Sequence, residues 1–341
     1  MHFLVTGHTG FKGAWLTILL RKLGHNVSGI ALDPEKESLF NKAQVHKLLL
    51  NDFRLDIRNH SDFSKAVTRI EPDFAIHLAA QSLVRDAYRD PAFTFETNVF
   101  GTLNFLRATE ESNSIKSRLV VTTDKVYKNK SPQIPFLEAD ELGGADPYSA
   151  SKAMADILTQ SWIQTVSDKP TIIARAGNVI GGGDYSHERL LPSLLDSYSK
   201  GIVPILRYPD AVRPWQHVLD CLDGYLLLLE QSQLSSVSRI WNIGPSLKDV
   251  KKVKEVAERV AINLGVNPEW EREREVEYKE QEWLVLDSSK IQTELHWKEK
   301  LDFSSSISWT SDWHTGLLSG KNALELCESQ VEEYLSLQSK K

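Results

Sequence analysis

The sequence predicts an α/β fold built on a doubly wound parallel sheet, with a smaller C-terminal lobe attached. Short apolar runs alternate with amphipathic runs in the first half, a glycine-rich turn follows the first apolar run, and the alternation ends near Gly177. Alternating strand-like and helix-like runs indicate βαβ units, whose parallel strands are covered on both faces. We therefore expect the sheet in the first half of the chain.

The predicted strands and helices follow one another along the first half. In chain order the runs are HFLVT, FKGAWLTILLRKLG, NVSGIAL, FRLDI, SDFSKAVTRI, FAIHLAA, FTFETNVFGTLNFLRATEE, RLVVTT, DPYSASKAMADILTQSWIQTV and PTIIARAG. Short apolar runs bounded by turn residues suit buried strands, and longer runs with apolar residues three and four apart suit helices. The order therefore predicts successive strand–helix units.

Beyond Gly177 this rhythm gives way to the glycine- and proline-bearing segments GNVIGGGD and VRPWQHV. They are followed by the helix-like DCLDGYLLLLEQ and the strand-like RIWNIG. Near the end, we expect the charged segment WEREREVEYKEQEW to form a solvated strand or sheet edge. The terminal LELCESQVEEYLSLQSKK is expected to form an amphipathic helix.

Composition and charge exclude several classes of protein. The 341 residues are 41% hydrophobic and 25% charged, and the net charge of -6 offers no electrostatic basis for a nucleic-acid partner. The two cysteines, Cys221 and Cys327, lie far apart and lack metal-ligand spacing, so neither a disulfide framework nor a metal site is predicted. No apolar stretch approaches the roughly 18 residues of a membrane span, and the N-terminus enters a strand directly. We therefore expect a cytoplasmic protein with no membrane partner.

The segment TGHTGFKG places three glycines, Gly7, Gly10 and Gly13, between the first strand and the first helix. A dinucleotide-binding turn needs one glycine for the tight turn, one for close approach to a pyrophosphate and one for helix–strand packing. A structural turn is the alternative, but the strand–turn–helix context favours a Rossmann cofactor site. The candidate contacts in this turn are Gly7, Thr9, Gly10, Phe11, Lys12 and Gly13.

Further candidate cofactor contacts follow the next strands. Asp33 ends GIALD, where a carboxylate would accept hydrogen bonds from an adenosine ribose, which favours NAD over NADP. Asp56 in LDIR suits the adenine edge, and a simple loop aspartate is the alternative. The other candidates, after the third and fourth strand-like runs, are Ile57, Leu78, Ala79 and Ala80.

A candidate catalytic pair lies in DPYSASK. Tyr148 and Lys152 are four residues apart and therefore share one face of a helix. A lysine cation beside a tyrosine stabilises the phenolate and so makes the tyrosine a better base. The alternative is an amphipathic face with a buried tyrosine and a solvated lysine. Thr123, Asp124 and Lys125 end a neighbouring strand, and ligands of doubly wound sheets bind at such carboxyl ends.

The segments TGHTGFKG, HLAAQ, TTDKVY and YSASK resemble the extended short-chain dehydrogenase/reductase family. Longer segments, such as HLAAQSLVRDAYRDPAFTFETNVFGT, ARAGNVIGGGD and RPWQHVLDCLDGYL, are similar to its CDP-glucose 4,6-dehydratase branch. This resemblance implies an NAD-dependent enzyme acting on CDP-glucose. It also implies a cofactor domain of residues 1–177 plus about 217–245, and a nucleotide-sugar lobe of residues 178–216 plus about 246–341.

The resemblance implies roles for the candidate catalytic residues. Tyr148 would take the proton of the C4 hydroxyl, Lys152 would hold the nicotinamide ribose, and Thr123 would hydrogen-bond the C4 oxygen. Asp124 would protonate the departing C6 hydroxyl. Lys125 would act as the base at C5, or would stay charged and stabilise the enolate oxygen or orient Asp124, and the sequence leaves these roles open. A solvated loop pair is the alternative for Asp124 and Lys125.

Candidate substrate contacts lie mainly in the irregular second half. Asn178 follows the strand ARAG, and the guanidinium groups of Arg189 and Arg213 suit bidentate phosphate binding. A surface arginine is the alternative for both. By resemblance, Gln81 and Arg85 lie near the sugar.

The resemblance also implies a homodimer, formed by helices at about Phe93–Glu111 and Tyr148–Val166. Two other functions compete with dehydration. A nucleotide-sugar 4-epimerase or reductase would need only Tyr148 and Lys152, without an acid–base pair at the end of the fifth strand. A dinucleotide-sensing protein with a decayed active site would need none of these groups.

Overall fold

The computed structural model describes residues 1–129, 134–186, 189–234, 238–274 and 282–337. The strands are β1 (His2–Thr6), β2 (Asn26–Ala31), β3 (Asn51–Arg54), β4 (Phe74–His77), β5 (Ser117–Thr123), β6 (Thr171–Ala176), β7 (Val179–Ile180), β8 (Ile205–Leu206), β9 (Val212–Pro214), β10 (Gln216–His217), β11 (Ile240–Ile243), β12 (Val250–Lys252) and β13 (Glu271–Arg272). The helices are α1 (Phe11–Lys22), α2 (Leu39–Lys42), α3 (His60–Ile70), α4 (Val84–Arg89), α5 (Pro91–Phe95), α6 (Gly101–Glu111), α7 (Pro147–Thr165), α8 (Leu190–Ser199), α9 (Val218–Gln231), α10 (Val253–Leu264), α11 (Ser289–Glu294), α12 (Phe303–Leu318) and α13 (Ala323–Ser336).

The central sheet has the strand order β3-β2-β1-β4-β5-β6-β11, and every neighbouring pair is parallel. The chain moves outward in one direction from β1 and in the other from β4, so the order reverses between these two strands. Such a reversal opens a crevice at the carboxyl ends of the strands, where ligands of this architecture bind. The predicted doubly wound parallel sheet is confirmed.

Both faces of the sheet are covered, so its central strands are almost entirely buried. All seven residues of β5 and all six of β6 are buried. One face packs against α1, α9 and α13, with Trp15 fully buried in that layer. The other face packs against α3 and α6, where Phe63 and Phe105 are fully buried. Burial on both sides fixes where the strands end, and so fixes where their terminal polar residues lie.

The third residue of the glycine-rich turn, His8, is buried against β2. Its Nε2 lies 2.8 Å from Oδ1 of Asp52 on β3. Its ring occupies the space beside Gly29, because a Cβ on Gly29 would lie 2.3 Å from the His8 ring. His8 thus packs the turn against β2 and connects it to β3 through a hydrogen bond.

A buried ion pair fastens α7 to the sheet. Arg175 of β6 donates from Nε and Nη2 to the two carboxylate oxygens of Asp156 on α7, at 2.8 and 2.7 Å. The hydroxyl of Thr122 donates to Asp156 at 2.9 Å, and the Tyr127 hydroxyl accepts from Arg175 at 2.9 Å. The pair is therefore bidentate, and its partners satisfy the remaining lone pairs.

A second buried carboxylate joins α9 to the C-terminal segments. Asp220 accepts hydrogen bonds from the backbone nitrogens of Lys300 and Leu301 and from the hydroxyl of Tyr334 on α13. Burial raises the pKa of Asp220 to about 7, although these three hydrogen bonds oppose the shift. The carboxyl of Asp220 is therefore partly protonated near neutral pH.

The second half of the chain adds small sheets and a helical cluster. β7 pairs with β10, β9 with β12 and β8 with β13, while α8, α10 and α12 pack around a core that includes Trp215. Strand β11 returns to the main sheet beside β6. The predicted division into a cofactor domain and a nucleotide-sugar lobe stays a prediction.

Three sequence predictions have distinct outcomes here. The C-terminal helix is confirmed as α13. The charged segment around β13 is a strand only at Glu271–Arg272, both exposed, and residues 275–281 lie outside the described part. The helix expected at Phe93–Glu111 is interrupted by a π turn at Glu96–Phe100, between α5 and α6. Among the described residues, no helix has the length and apolar character to span a bilayer.

Candidate active site

A cavity of about 730 Å³ opens at the carboxyl ends of β1, β4, β5 and β6. Most of the candidate residues line it: Gly7, Thr9, Gly10, Phe11, Lys12, Gly13, Asp56, Ile57, Leu78, Ala79, Ala80, Arg85, Thr123, Asp124, Lys125, Tyr148, Lys152, Asn178, Arg189 and Arg213. Asp33 and Gln81 are not among the lining residues. The fold therefore brings segments from the whole length of residues 7–213 to one place.

The glycine turn fits a closely bound pyrophosphate. Gly7 has a φ of 72°, and a Cβ there would lie 2.7 Å from the backbone nitrogen of Ala79. A Cβ on Gly13 would lie 2.3 Å from the Gly7 carbonyl oxygen. Gly10 precedes α1 without capping it through a side chain, so the first amide groups of the helix face the cavity unblocked. Unpaired amides and the helix dipole favour an anion at this position.

The two acidic candidates of the adenosine end differ in position. The side chain of Asp33 is 88% exposed and lies 3.9 Å from Nε of Arg54. Asp56 lines the cavity and accepts hydrogen bonds from Arg58 at 2.7 and 2.9 Å. Partial burial raises the pKa of Asp56, but the hydrogen bonds from Arg58 outweigh it and hold the pKa below its ordinary value. Both carboxylates therefore lie beside an arginine at the edge of the sheet.

Thr123 ends β5 and begins a short 3-10 turn at Asp124–Val126. Its hydroxyl donates to Oδ1 of Asp124 at 3.0 Å and accepts weakly from the Lys125 amide at 3.4 Å. Oδ2 of Asp124 is buried and has no hydrogen-bond partner among the described residues. Burial raises the pKa of Asp124, and the charge of Lys125 opposes this shift. The carboxyl is therefore poised to hold a proton, and Lys125 lines the cavity beside it.

Helix α7 presents the tyrosine and the lysine. Asp146 caps the helix by accepting from the Ser149 amide at 2.9 Å, and Pro147 occupies the first turn, which fixes the start of the helix just before Tyr148. Nζ of Lys152 donates to the Val121 carbonyl oxygen of β5 at 2.8 Å. This bond holds the lysine against the strand that carries Thr123.

The protonation states of this pair follow from burial. Burial raises the pKa of Tyr148 to about 12, with the Thr123 hydroxyl opposing the shift. Burial lowers the pKa of Lys152 to about 8. The tyrosine would need a cation and a hydrogen-bond donor to act as a base at neutral pH, and Lys152 and Thr123 are the groups that could supply them.

The arginines line the side of the cavity formed by the second half of the chain. Arg213 is only 5% exposed, and its Nη1 donates to the Val212 carbonyl oxygen at 2.8 Å. Arg189 pairs with Asp184 at 3.1 Å. Gln81 instead bonds within its own loop, to the Leu83 carbonyl oxygen and to Thr94 on α5. Both arginines line the cavity, whereas the Gln81 amide is hydrogen-bonded within the protein and does not.

Sequence reasoning missed a buried asparagine that assembles the site. Asn98 lies in the π turn and is 1% exposed. Its amide donates to the Gln81 carbonyl oxygen at 3.0 Å and to Ser151 of α7 at 2.9 Å. It therefore ties the segment after β4 to the helix that carries Tyr148. An asparagine inside a helical run was the available signal, since its side chain competes with the backbone there.

Comparisons with known proteins identify the family of the chain. The model of the NAD dependent epimerase/dehydratase family matches residues 3–244. The CDP-glucose 4,6-dehydratase of Salmonella typhimurium is 33% identical, over 97% of this chain and 95% of that protein. The dTDP-glucose 4,6-dehydratase of Haemophilus influenzae is 26% identical, over 92% of this chain and 98% of that protein.

A solved structure shows the same fold. The dTDP-glucose 4,6-dehydratase of Bacillus anthracis, in complex with NAD, superposes with a TM-score of 0.81 at 23% identity, covering 96% of this chain and 99% of that one. The predicted family resemblance is therefore confirmed, as is the NAD dependence implied by the description of the family. The chain belongs to the NAD dependent epimerase/dehydratase family.

Proposed function

We propose that the protein is a hydro-lyase that converts CDP-D-glucose to CDP-4-dehydro-6-deoxy-D-glucose and water. The observation that carries the proposal is the pair Asp124–Lys125, which lines the cavity directly after Thr123 and beside Tyr148 and Lys152. Oxidation at C4 alone would need only the tyrosine and the lysine. Removal of water across C5 and C6 needs an acid and a base as well, and this pair supplies two titratable groups.

The glycine turn, Tyr148 and Lys152 would hold the cofactor, which when bound would accept a hydride from C4 and later return it to C6. Tyr148 would accept the proton of the C4 hydroxyl, and Thr123 would donate a hydrogen bond to the C4 oxygen. The ketone at C4 makes the C5 hydrogen acidic, so Lys125 would remove it or would stabilise the enolate that forms, and C5 would regain a proton when C6 receives the hydride. Arg189 and Arg213 would bind the diphosphate.

Asp124 is suited to protonate the departing C6 hydroxyl. A carboxyl whose pKa is raised by burial keeps its proton at a pH where an exposed aspartate has lost it. Its unpaired Oδ2 lies 3.0 Å from the position that a Cβ on Gly177 would take, so the absence of that Cβ leaves room beside the carboxyl. The acid is thus buried, lines the cavity, and has a pKa shifted towards its protonated form.

The substrate is tested by incubating the protein with CDP-D-glucose, dTDP-D-glucose, GDP-D-mannose and UDP-N-acetylglucosamine separately, without a reductant. Mass spectrometry should detect a product lighter by about 18 Da from CDP-D-glucose only, which corresponds to the loss of one water. Water loss from another nucleotide would keep the mechanism and overturn the substrate. Unchanged mass with all four would favour an epimerase, whose product has the mass of its substrate, or a dinucleotide-sensing protein.

Lys125→Met tests the acid–base pair. We expect the rate of water loss to fall by at least about a hundredfold, because an acid or base catalyst typically contributes that much. Lys128→Met is the matched control, since Lys128 is exposed and pairs with Glu141 outside the cavity. Dehydration by Lys125→Met at the rate of the unmodified enzyme would remove Lys125 from the mechanism.

We further propose that the protein is a homodimer, formed by α7 and the helical stretch from α5 to α6. Several apolar side chains in these elements are exposed: Phe100, Met154 and Ile157. Exposed apolar residues grouped on adjacent helices favour a helical interface between two copies.

A further inference from the structure

Lys12 is a cation in the cofactor-binding turn, and no carboxylate of the described residues forms an ion pair with it. It occupies the second position of α1 and lines the cavity. Its Nζ donates to the hydroxyl of Tyr225 on α9 at 3.3 Å, and it lies 5.7 Å from the centre of that ring. A neutral hydroxyl is therefore its only direct hydrogen-bond partner in the described part of the chain.

The charged and titratable groups around Lys12 offset its positive charge only in part. Burial lowers the pKa of Lys12, the neighbouring thiol of Cys221 opposes the shift, and the charge of Arg189 adds to it. Asp124 also opposes the shift, but this carboxyl tends to keep its proton. Lys152 is a further cation within range, because Lys12 helps to lower its pKa. A partly buried cation among other cations is unfavourable unless an anion joins it.

The position of Lys12 identifies the anion as a pyrophosphate. The side chain leaves α1 two residues after Gly10, so it lies beside the open N-terminus of a 12-residue helix. The same turn carries Gly7 and Gly13, where a Cβ would collide with backbone atoms. Backbone amides and the helix dipole favour phosphate oxygens at this turn, and the ammonium group of Lys12, hydrogen-bonded to Tyr225, belongs to the same cavity.

We propose that the ammonium group of Lys12 binds a phosphate oxygen of the cofactor's pyrophosphate and supplies a large part of the affinity for the dinucleotide. This inference rests on the NAD dependence in the proposed function, but not on the identity of the sugar. The side chain of Lys12 would thus contribute to pyrophosphate binding in addition to the backbone amides of the turn. A reaction that returns its hydride to the substrate can keep one cofactor bound, and a fixed cation at the pyrophosphate favours such retention.

The test measures NAD binding to the full-length protein after removal of any bound cofactor, by isothermal titration calorimetry. Lys12→Met should raise the dissociation constant of NAD by about ten- to a hundredfold, since a hydrogen bond to a charged group contributes in this range. Binding of ADP-ribose to the variant should weaken by a similar factor, because this ligand retains the pyrophosphate. Binding of adenosine should be unchanged. Lys12→Arg should restore most of the affinity.

Lys22→Met is the matched control, because Lys22 ends the same helix, does not line the cavity and pairs with Glu332. Its dissociation constant for NAD should equal that of the unmodified protein. The melting temperature of ligand-free Lys12→Met should be unchanged or higher, because the substitution removes an unbalanced cation. A purely structural lysine would instead lower it.

Two results would overturn the inference. One is an unchanged dissociation constant for NAD in a folded Lys12→Met protein. The other is weaker binding of CDP-glucose alone, which would assign Lys12 to the diphosphate of the substrate. A protein that binds NAD through Lys12 but dehydrates no sugar nucleotide would refute the proposed reaction and leave this inference standing.

Discussion

The carboxyl of Asp124 differs from the other acidic groups that line the cavity. Asp56 accepts hydrogen bonds from Arg58, and Asp184 accepts one from Arg189. Oδ2 of Asp124 has no partner in the described part of the chain and is buried. A neighbouring cation favours the ionised form of a carboxyl group, whereas burial favours the protonated form. Among the lining aspartates, this contrast favours Asp124 as the proton donor.

Asp124→Asn should lower the rate of water loss by about a hundredfold or more, because the amide cannot transfer a proton. In the unmodified enzyme the rate should fall as the pH rises through the raised pKa of Asp124, since only the protonated form donates. The variant should lack this decline. Rates of water loss measured by mass spectrometry from pH 5 to 9 check both points.

Asp62→Asn is the control for this substitution, because Asp62 lies in the first turn of α3, has a half-exposed side chain and does not line the cavity. A pH profile of Asp124→Asn that keeps the same decline would assign the titrating group to another residue.

Single residues show where sequence reasoning reaches its limit. Asp124 and Tyr148 could be placed in one cavity from the order of strands alone, because the carboxyl ends of parallel strands lie together. The unpaired oxygen of Asp124 could not, since it depends on packing by Gly177 and Pro214 from a later segment. Asp33 follows the expected strand, yet its exposed side chain does not line the cavity.

At the scale of elements, the position of α7 depends on one buried ion pair. Asp156 lies one turn beyond Lys152 on this helix and is held by Arg175 of β6. Both side chains are at most 1% exposed. Helix α7 therefore cannot shift along the sheet without separating two charges in an apolar interior.

Asp156→Ala should lower the free energy of unfolding by about 3 to 5 kcal/mol, because it leaves the Arg175 cation buried without its partner. Urea denaturation followed by circular dichroism measures this change. The double variant Asp156→Leu with Arg175→Met should lose less stability than Asp156→Ala, since no charge is left unpaired. Equal losses in the two proteins would show that packing volume, and not charge, dominates.

Asp220 makes the contact between α9 and α13 sensitive to pH. Its pKa is raised from 3.8 to about 7 in the folded protein, so the folded state binds a proton that the unfolded state releases. The stabilising contribution is therefore complete below about pH 4 and is lost as the pH rises through about 7. Asp220→Asn should remove this dependence.

Thermal unfolding of the two proteins between pH 4 and 8 measures the effect as a difference. The melting temperature of the unmodified protein should fall relative to that of Asp220→Asn as the pH rises. A constant difference across this range would show that Asp220 has the same protonation state in the folded and unfolded proteins.

Elements were predicted best where apolar periodicity is strong. The strands β1, β4, β5 and β6 and the helix α13 lie where the sequence places them. The interruption of the long helix at Glu96–Phe100 was not predicted, because the apolar pattern continues through it. What requires the π turn is tertiary: it turns Asn98 towards Gln81 and Ser151.

At the scale of the whole molecule, exposed apolar surface predicts an assembly. Ile157 on α7 is 52% exposed and Ile262 on α10 is 58% exposed, so they are equally accessible in a single chain. Only Ile157 lies on the face assigned to the dimer.

Ile157→Arg should convert the dimer to a monomer, because the substitution would bury a charge in the proposed interface. Ile262→Arg is the control and should stay dimeric. Light scattering of the two purified proteins at the same concentration measures the mass. A monomeric unmodified protein, or a dimeric Ile157→Arg variant, would contradict the proposed interface.

The whole fold was predictable because one alternation runs through the first half of the chain. Turn residues and apolar runs there agree on the same parallel sheet. The arrangement of the second half was less predictable, because its short strands β7, β8, β9 and β10 have only two or three residues each. Their pairing depends on contacts between distant segments.

The packing of His8 against Gly29 limits the order in which this sequence can change. Any side chain at position 29 would overlap the imidazole ring, whereas a smaller residue at position 8 would leave an unfilled space and remove the hydrogen bond to Asp52. Substitution at position 8 must therefore come first, and substitution at position 29 can follow. Once a side chain is present at position 29, histidine can no longer be accommodated at position 8.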